Sequence, residues 1–195
     1  MKKTIFTCLF LIFFSTSFAD EMTINSLLKQ GYKIKDDTII KNAAGKINQN
    51  DININAVKES EILFLEGYLW DEGEPKKAFE IAINNSNKVA MSLSDLFCVE
   101  RHKPHFLELV KNKLDITFAS EQEIMSLLDV KNFDQVIDFA KEIKKLIVVT
   151  RGEKGAIAIN GNEVIECSAE KNLKIKDLTG AGDLFAGGFL HGLIN

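Results

Sequence analysis

The chain has only three cysteines, Cys8, Cys98 and Cys167, and no two of them share a metal-ligand spacing. Cys8 lies in an apolar leader, so neither a zinc site nor a disulfide framework follows. A basic footprint for nucleic acid is also missing: lysines and arginines are scattered and the net charge is −4. The acidic turn at Asp71, Glu72 and Glu74 is too small to be an interaction tail. There is no internal repeat and no low-complexity tract. Two common nucleotide signatures are absent as well. No Gly-Lys-Ser/Thr follows a glycine loop at Walker spacing, and Phe185 stands where a dinucleotide fingerprint needs its third glycine. What is present is 46% hydrophobic and 27% charged, enough for one domain with a real core.

The N-terminus carries the longest apolar run. Met1-Lys2-Lys3 is a short basic stretch, Thr4 to Phe14 is nearly continuously apolar, and Ser17-Phe18-Ala19 places small residues before Asp20. Residues 1–19 therefore read as a secretory signal peptide, too short for an ordinary membrane span, with export expected if the leader is used. No stable membrane span is expected once it is removed. Residues 20–42 form a short segment of their own, helix-like from Met22 to Gln30 and strand-like from Tyr32 to Ile40 after Gly31.

From about Ala43 to Asn195 strands and helices alternate. Strands are expected at Ile62–Leu65, Lys88–Leu93, Leu114–Ala119 and Leu146–Thr150, with helices at Glu74–Asn85, Val99–Asn112, Ser120–Asp129 and Asn132–Lys144. Such alternation predicts an α/β fold, a doubly wound parallel sheet with helices on both faces. After Arg151-Gly152-Glu153-Lys154-Gly155 comes a hairpin: Ala156–Ile159, the Asn160-Gly161 turn, then Glu163–Cys167.

Chemistry concentrates near the end, in Asp177-Leu178-Thr179-Gly180-Ala181-Gly182-Asp183 ahead of an apolar helix. Backbone N–H groups at a helix start favour an anion, and glycines let that backbone approach a phosphate closely. Asp183 stands beside them as a candidate base. The structural alternative is a tight turn before a helix whose Gly187, Gly188 and Gly192 permit close packing. Ser120 with Glu123 makes a good capping box. Asp95 ends a strand and can point into a cleft at the carboxyl edge of the sheet. His102 and His105 are read as solvated, His191 as a helix-end residue, and Tyr68 and Trp70 as packing near a strand end.

The terminal run resembles the second signature of the ribokinase-like (PfkB-type) carbohydrate and nucleoside kinases, Asp-Thr-Thr-Gly-Ala-Gly-Asp, with Leu178 replacing its first threonine. The resemblance implies a Rossmann-like three-layer α/β/α sandwich and ATP-dependent phosphorylation of a sugar or nucleoside hydroxyl. It implies Asp183 as the catalytic base, and Gly180, Ala181 and Gly182 as the anion hole. Thr150, Gly152 and Gly155 would line the nucleotide. Glu123 would assist Mg²⁺ through water, at a motif where Ser120 replaces an asparagine. A homodimer is known in such kinases. The family's glycine-pair signature and lid have no matching positions here, so the expectation is a partial kinase domain over residues 43–195 with impaired activity. The kinase reading implies the cytoplasm, whereas the leader implies export. The alternatives are an exported, non-catalytic protein on a kinase-like scaffold, or a cytoplasmic kinase whose leader is an artefact of fusion.

Overall fold

A computed structural model describes residues 47–70, 74–172 and 174–195. The leader and the segment up to residue 42 lie outside the described residues, so the expectations for them are not addressed by the fold. Within the described residues six strands form one sheet in sequential order. They are β1 (Leu63–Glu66), β2 (Val89–Ser92), β3 (Ile116–Ser120), β4 (Leu146–Thr150), β5 (Ala156–Asn160) and β6 (Glu163–Cys167). The helices are α1 (Ile54–Glu59), α2 (Glu74–Asn85), α3 (Leu96–Asn112), α4 (Glu121–Leu128), α5 (Asp134–Ile143) and α6 (Ala181–Ile194).

Strands β1 to β4 are parallel, and β5 and β6 return antiparallel as the hairpin expected at the edge. The parallel strands read as short continuous apolar runs because both of their faces are covered. Register between β2 and β3 is fixed by a polar clamp: the Val89 N–H donates to Asp115 Oδ2 at 2.9 Å, and the Asp115 N–H donates to the Val89 carbonyl at 2.8 Å.

Alternation along each strand divides the core in two. Leu63, Leu65, Met91, Ile147, Val149, Ile157 and Ile159 point to the face covered by α2, α3, α4 and α5. Three crossovers onto one face, the last carrying both α4 and α5, are what right-handed connections demand when strand order is sequential. Phe64, Ala90, Ile116, Phe118 and Val148 point the other way, where α6 packs with Phe185, Ala186, Phe189 and Leu190. The Phe118 and Phe189 rings meet edge to face at 5.6 Å. Helices thus lie on both faces, as the doubly wound reading requires.

Two expectations need correction. Gly187, Gly188 and Gly192 do not serve close packing, since a Cβ on any of them would meet nothing within 4 Å. Tyr68 does not pack near the strand end as Trp70 does. Both lie in the 3₁₀ turn Gly67–Trp70, but Trp70 is buried against Phe79 and Phe106 while Tyr68 is 57% exposed.

Candidate active site

Parallel strands end together, and the carboxyl ends of β1 to β4 bring Glu66, Ser92, Ser120 and Thr150 to one edge. Ser120 and Thr150 are direct neighbours in register. The turn after β4 and the start of α4 adjoin the same edge, and so does the start of α6, because Asp183 lies within electrostatic reach of Glu66. This is where an open α/β sheet places its ligands.

The start of α6 is assembled from backbone. Asp177 Oδ1 accepts from the Thr179 N–H at 2.9 Å and from the Thr179 hydroxyl at 2.7 Å, which organises the turn. Gly180 follows with φ +72, a left-handed conformation that only glycine adopts without strain. No side chain caps the helix. The Ala181 N–H donates to the Leu178 carbonyl at 3.1 Å, so of the three expected anion-hole positions this amide is engaged within the turn. The first-turn amides of Gly182 and Asp183 have no intrahelical acceptors, and they carry the positive end of the helix dipole. A Cβ at Gly182 would meet nothing within 4 Å, so the flank of this first turn is open. Asp183 itself is exposed.

Across from Asp183 is Glu66, which the sequence reading missed. Burial, and then the Asp183 carboxylate, push its carboxyl up to about 7, while a hydrogen bond from Ser94 acts in the opposite direction. The Ser94 hydroxyl donates to Glu66 Oε2 at 3.1 Å. The available signal was positional: Glu66 is the first polar residue after an apolar strand, at the carboxyl end of a parallel sheet.

Asp95, singled out as a cleft candidate, caps α3 by accepting from the Cys98 N–H at 2.7 Å. It also bonds the Tyr68 hydroxyl, which together with partial burial holds that hydroxyl well above the usual tyrosine range. Tyr68 and Phe97 leave two aromatic rings 57% and 75% exposed at this end of the sheet.

The nucleotide-side candidates divide by role. Thr150 is half-buried at the end of β4. Gly152 has φ +57 and open space where a side chain would be. Gly155 is required by the fold, since its Cβ would fall 1.9 Å from the Cys167 carbonyl oxygen. A clamp not anticipated from the sequence ties this turn to α4. Arg151 Nε donates to Glu121 Oε2 at 3.0 Å, Lys154 Nζ donates to Oε1 at 3.2 Å, and the Arg151 guanidinium lies 4.0 Å from the Phe133 ring centre. The Arg151 hydrogen bond is the main reason the Glu121 carboxyl sits below the usual range.

The capping box forms in full. The Ser120 N–H donates to Glu123 Oε2 at 3.0 Å, and Ser120 Oγ accepts from the Glu123 N–H at 3.2 Å. Glu123 thus keeps one carboxylate oxygen outside the cap. Among the described residues no three His, Cys, Asp or Glu side chains converge to hold a metal ion. His191 is exposed near the end of α6 beside Asn195, as a helix-end residue should be. No helix among the described residues is long and apolar enough to cross a membrane.

Known proteins share this fold. A cytidine kinase from Thermococcus kodakarensis is 36% identical over 90 residues, covering 44% of this chain and 32% of that protein. The solved adenosine kinase from Sinorhizobium meliloti superposes with a TM-score of 0.70 at 37% identity, covering 76% of this chain and 47% of that one. A structure described as ribokinase II from E. coli, solved with ATP and Mg²⁺, gives a TM-score of 0.68 at 23% identity, covering 78% of this chain and 52% of that one, and so supports the fold. The chain thus spans about half the length of these structures, and its match spans about a third of the cytidine kinase. The family profile "pfkB family carbohydrate kinase" matches residues 27–195, beginning upstream of the boundary read at Ala43, and the chain belongs to that family.

Proposed function

We propose that the protein transfers the γ-phosphoryl group of ATP to a hydroxyl of a small acceptor, a sugar or nucleoside, with a nucleoside favoured. The observation that carries the reading is Asp183 in the first turn of the uncapped α6, facing the half-buried Glu66 across the carboxyl edge. An exposed aspartate can accept the proton of an approaching hydroxyl. The amides of Gly182 and Asp183 are aimed where negative charge would develop, and fixed dipoles stabilise such charge without reorganising during the reaction.

The nucleotide side fits a phosphate chain in two respects. The spaces at Gly182 and Gly152 are open, and the Arg151–Glu121–Lys154 clamp holds the turn between them and α4. When bound, ATP and Mg²⁺ supply the phosphoryl group and neutralise its charge. Glu123 reaches such an ion through water with the oxygen left outside its cap. Thr150 and Gly152 line the nucleotide, whereas Gly155 acts by allowing the turn to close. Positioning and charge stabilisation do most of the work in this class of reaction.

The nucleoside preference rests on Tyr68 and Phe97. Both rings are exposed, and flat rings suit a nucleobase better than a bare sugar. Dependence on ATP places the working protein in the cytoplasm. The test is a panel of cytidine, adenosine, ribose and fructose 6-phosphate with the full-length protein, ATP and Mg²⁺, read as ADP and phosphorylated product. The expected result is phosphorylation of a nucleoside with kcat/KM at least tenfold above either sugar, and a Phe97→Ala variant that raises KM for the nucleoside while leaving KM for ATP unchanged. ATP turnover without a phosphorylated acceptor would count against the reading.

A further inference from the structure

Glu66 does not hold its place by packing alone. Gly67 brings the end of β1 against the end of β2 so closely that a Cβ there would come within 2.8 Å of the Leu93 carbonyl oxygen and 3.0 Å of the Ser92 carbonyl oxygen. Opposite that contact Ser94 adopts φ +72, a left-handed conformation that serine seldom takes. From this conformation its hydroxyl ties the loop after β2 to the end of β1. It donates to Glu66 Oε2 at 3.1 Å and accepts from the Tyr68 N–H at 3.2 Å. The Ser94 N–H is held in turn by Ser92 Oγ at 3.2 Å. A residue in an uncommon backbone state, fixed by its own amide and bridging two strands through one oxygen, is constrained for a purpose beyond connecting β2 to α3.

We propose that Ser94 is a positioning residue, which holds the Glu66 carboxyl in place opposite Asp183 and sets whether that carboxyl meets an acceptor molecule as a hydrogen-bond donor or as an anion. Its meaning for turnover rests on the phosphotransferase reading above; its action on Glu66 does not. The charged and polar groups acting on Glu66 are Asp183 on α6 and Ser94 at the end of β2, the first opposing ionisation and the second favouring it. A hydrogen bond donated to a carboxylate stabilises its charged form. With its midpoint at about 7, Glu66 changes state within the working pH range, so a single hydroxyl bond is enough to alter which state predominates.

Two substitutions separate the hydroxyl from the backbone. Ser94→Gly keeps the left-handed turn accessible and removes the hydroxyl, both as donor to Glu66 and as acceptor from the Tyr68 N–H. Ser94→Asn also tolerates that conformation and restores a donor through Nδ2. The first readout is the carboxyl ¹³C shift of Glu66 against pH in the folded protein without ligand. Ser94→Gly is expected to move the midpoint upward by on the order of one pH unit, and Ser94→Asn to return it most of the way. The second readout is the pH profile of kcat/KM for the acceptor, whose limb should shift in the same direction while KM for ATP stays constant. A midpoint unmoved by Ser94→Gly, in protein whose amide spectrum shows the native fold, overturns the proposal. If the midpoint moves but no acceptor is phosphorylated by the wild type, Ser94 still positions Glu66 and the phosphotransferase reading is what fails.

Discussion

The two sides of the candidate site are built in opposite ways. The phosphate side is made of backbone: Gly180 in a left-handed turn, the uncapped start of α6, and an exposed Asp183. The acceptor side is made of side chains: a half-buried Glu66, the Ser94 hydroxyl, and Tyr68 bonded to Asp95. An anion needs N–H groups pointed at it and room to approach, which a glycine turn at a helix start supplies regardless of the surrounding core. Reading a neutral hydroxyl compound instead requires individual polar atoms at fixed places, and those must be supported by neighbours from other strands. The difference predicts that changes on the first side act on rate with little effect on stability, and that changes on the second act on both.

The largest effect should come from Asp183→Asn. The amide preserves size but cannot take a proton at neutral pH, so kcat should fall by roughly 10²–10⁴-fold with ATP affinity nearly unchanged. Because Asp183 is exposed and makes no capping bond, the denaturation midpoint should hardly move. Steady-state kinetics and urea denaturation on the same preparation check both halves. Normal turnover would reduce Asp183 to a helix-start residue and erase the contrast.

Next in size is Gly155→Val, a deliberate exception on the backbone-built side. Its φ of +92 is unfavourable for valine, and the added Cβ would fall 1.9 Å from the Cys167 carbonyl oxygen. The β4–β5 turn must then shift, and a loss of about 3 kcal/mol is expected from strain and broken hairpin contacts. Gly152→Ala, where nothing lies within 4 Å, should cost only about 1 kcal/mol from its positive φ. Chemical denaturation of the pair decides whether Gly155 serves the fold, as the geometry has it, or chiefly the nucleotide.

Legibility in the sequence follows the same division. The strand and helix series was readable because each element has a clear period and a stop signal: α2 was expected at Glu74–Asn85 and forms there, and the Asn160-Gly161 turn gives the hairpin. Gly180 and Asp183 were readable because one contiguous run specifies the whole phosphate-side turn. Glu66 was not, since its importance depends on Ser94, 28 residues away, and on Asp183 in the last helix. The Arg151–Glu121 clamp was missed for the same reason: its partners are 30 residues apart. The close packing that the structural alternative allowed Gly187, Gly188 and Gly192 is not used, because small residues permit close approach without showing that a neighbour is there.

Glu66→Gln tests the buried side by pH. The carboxyl has an ordinary value of 4.5 and is pushed up to about 7 in the fold, so between these values the folded chain holds a proton that the unfolded chain has released. Stability contributed by this group is therefore fully present below the unfolded value and is lost as pH rises through the folded one. The full gap corresponds to roughly 3 kcal/mol, and about 2 kcal/mol remains after allowance for residual solvent contact. Glu66→Gln should match the wild type near pH 4.5 and exceed it by about 2 kcal/mol at pH 8 in urea denaturation. Equal stability at pH 8 would mean that Glu66 is ionised at no cost, and that the acceptor side is as open as the phosphate side.

The smallest effects concern the residue shared by the two ways of building. Glu123 caps its own helix through Oε2, and the other oxygen is the one proposed to act on Mg²⁺ through water. A glutamine at this position can still accept the Ser120 N–H bond, so Glu123→Gln should cost less than about 0.5 kcal/mol, mainly a lost charge at the helix start. Ser120→Ala removes the hydroxyl cap but leaves the carboxylate in place, and should cost about 1 kcal/mol. The Mg²⁺ concentration giving half-maximal turnover should respond in reverse order, rising several-fold in Glu123→Gln and staying near the wild-type value in Ser120→Ala. A purely structural Glu123 would leave that concentration unchanged in both variants. Crossed responses, with stability following the cap and Mg²⁺ dependence following the charge, would show one side chain serving the fold with one oxygen and the phosphate side with the other.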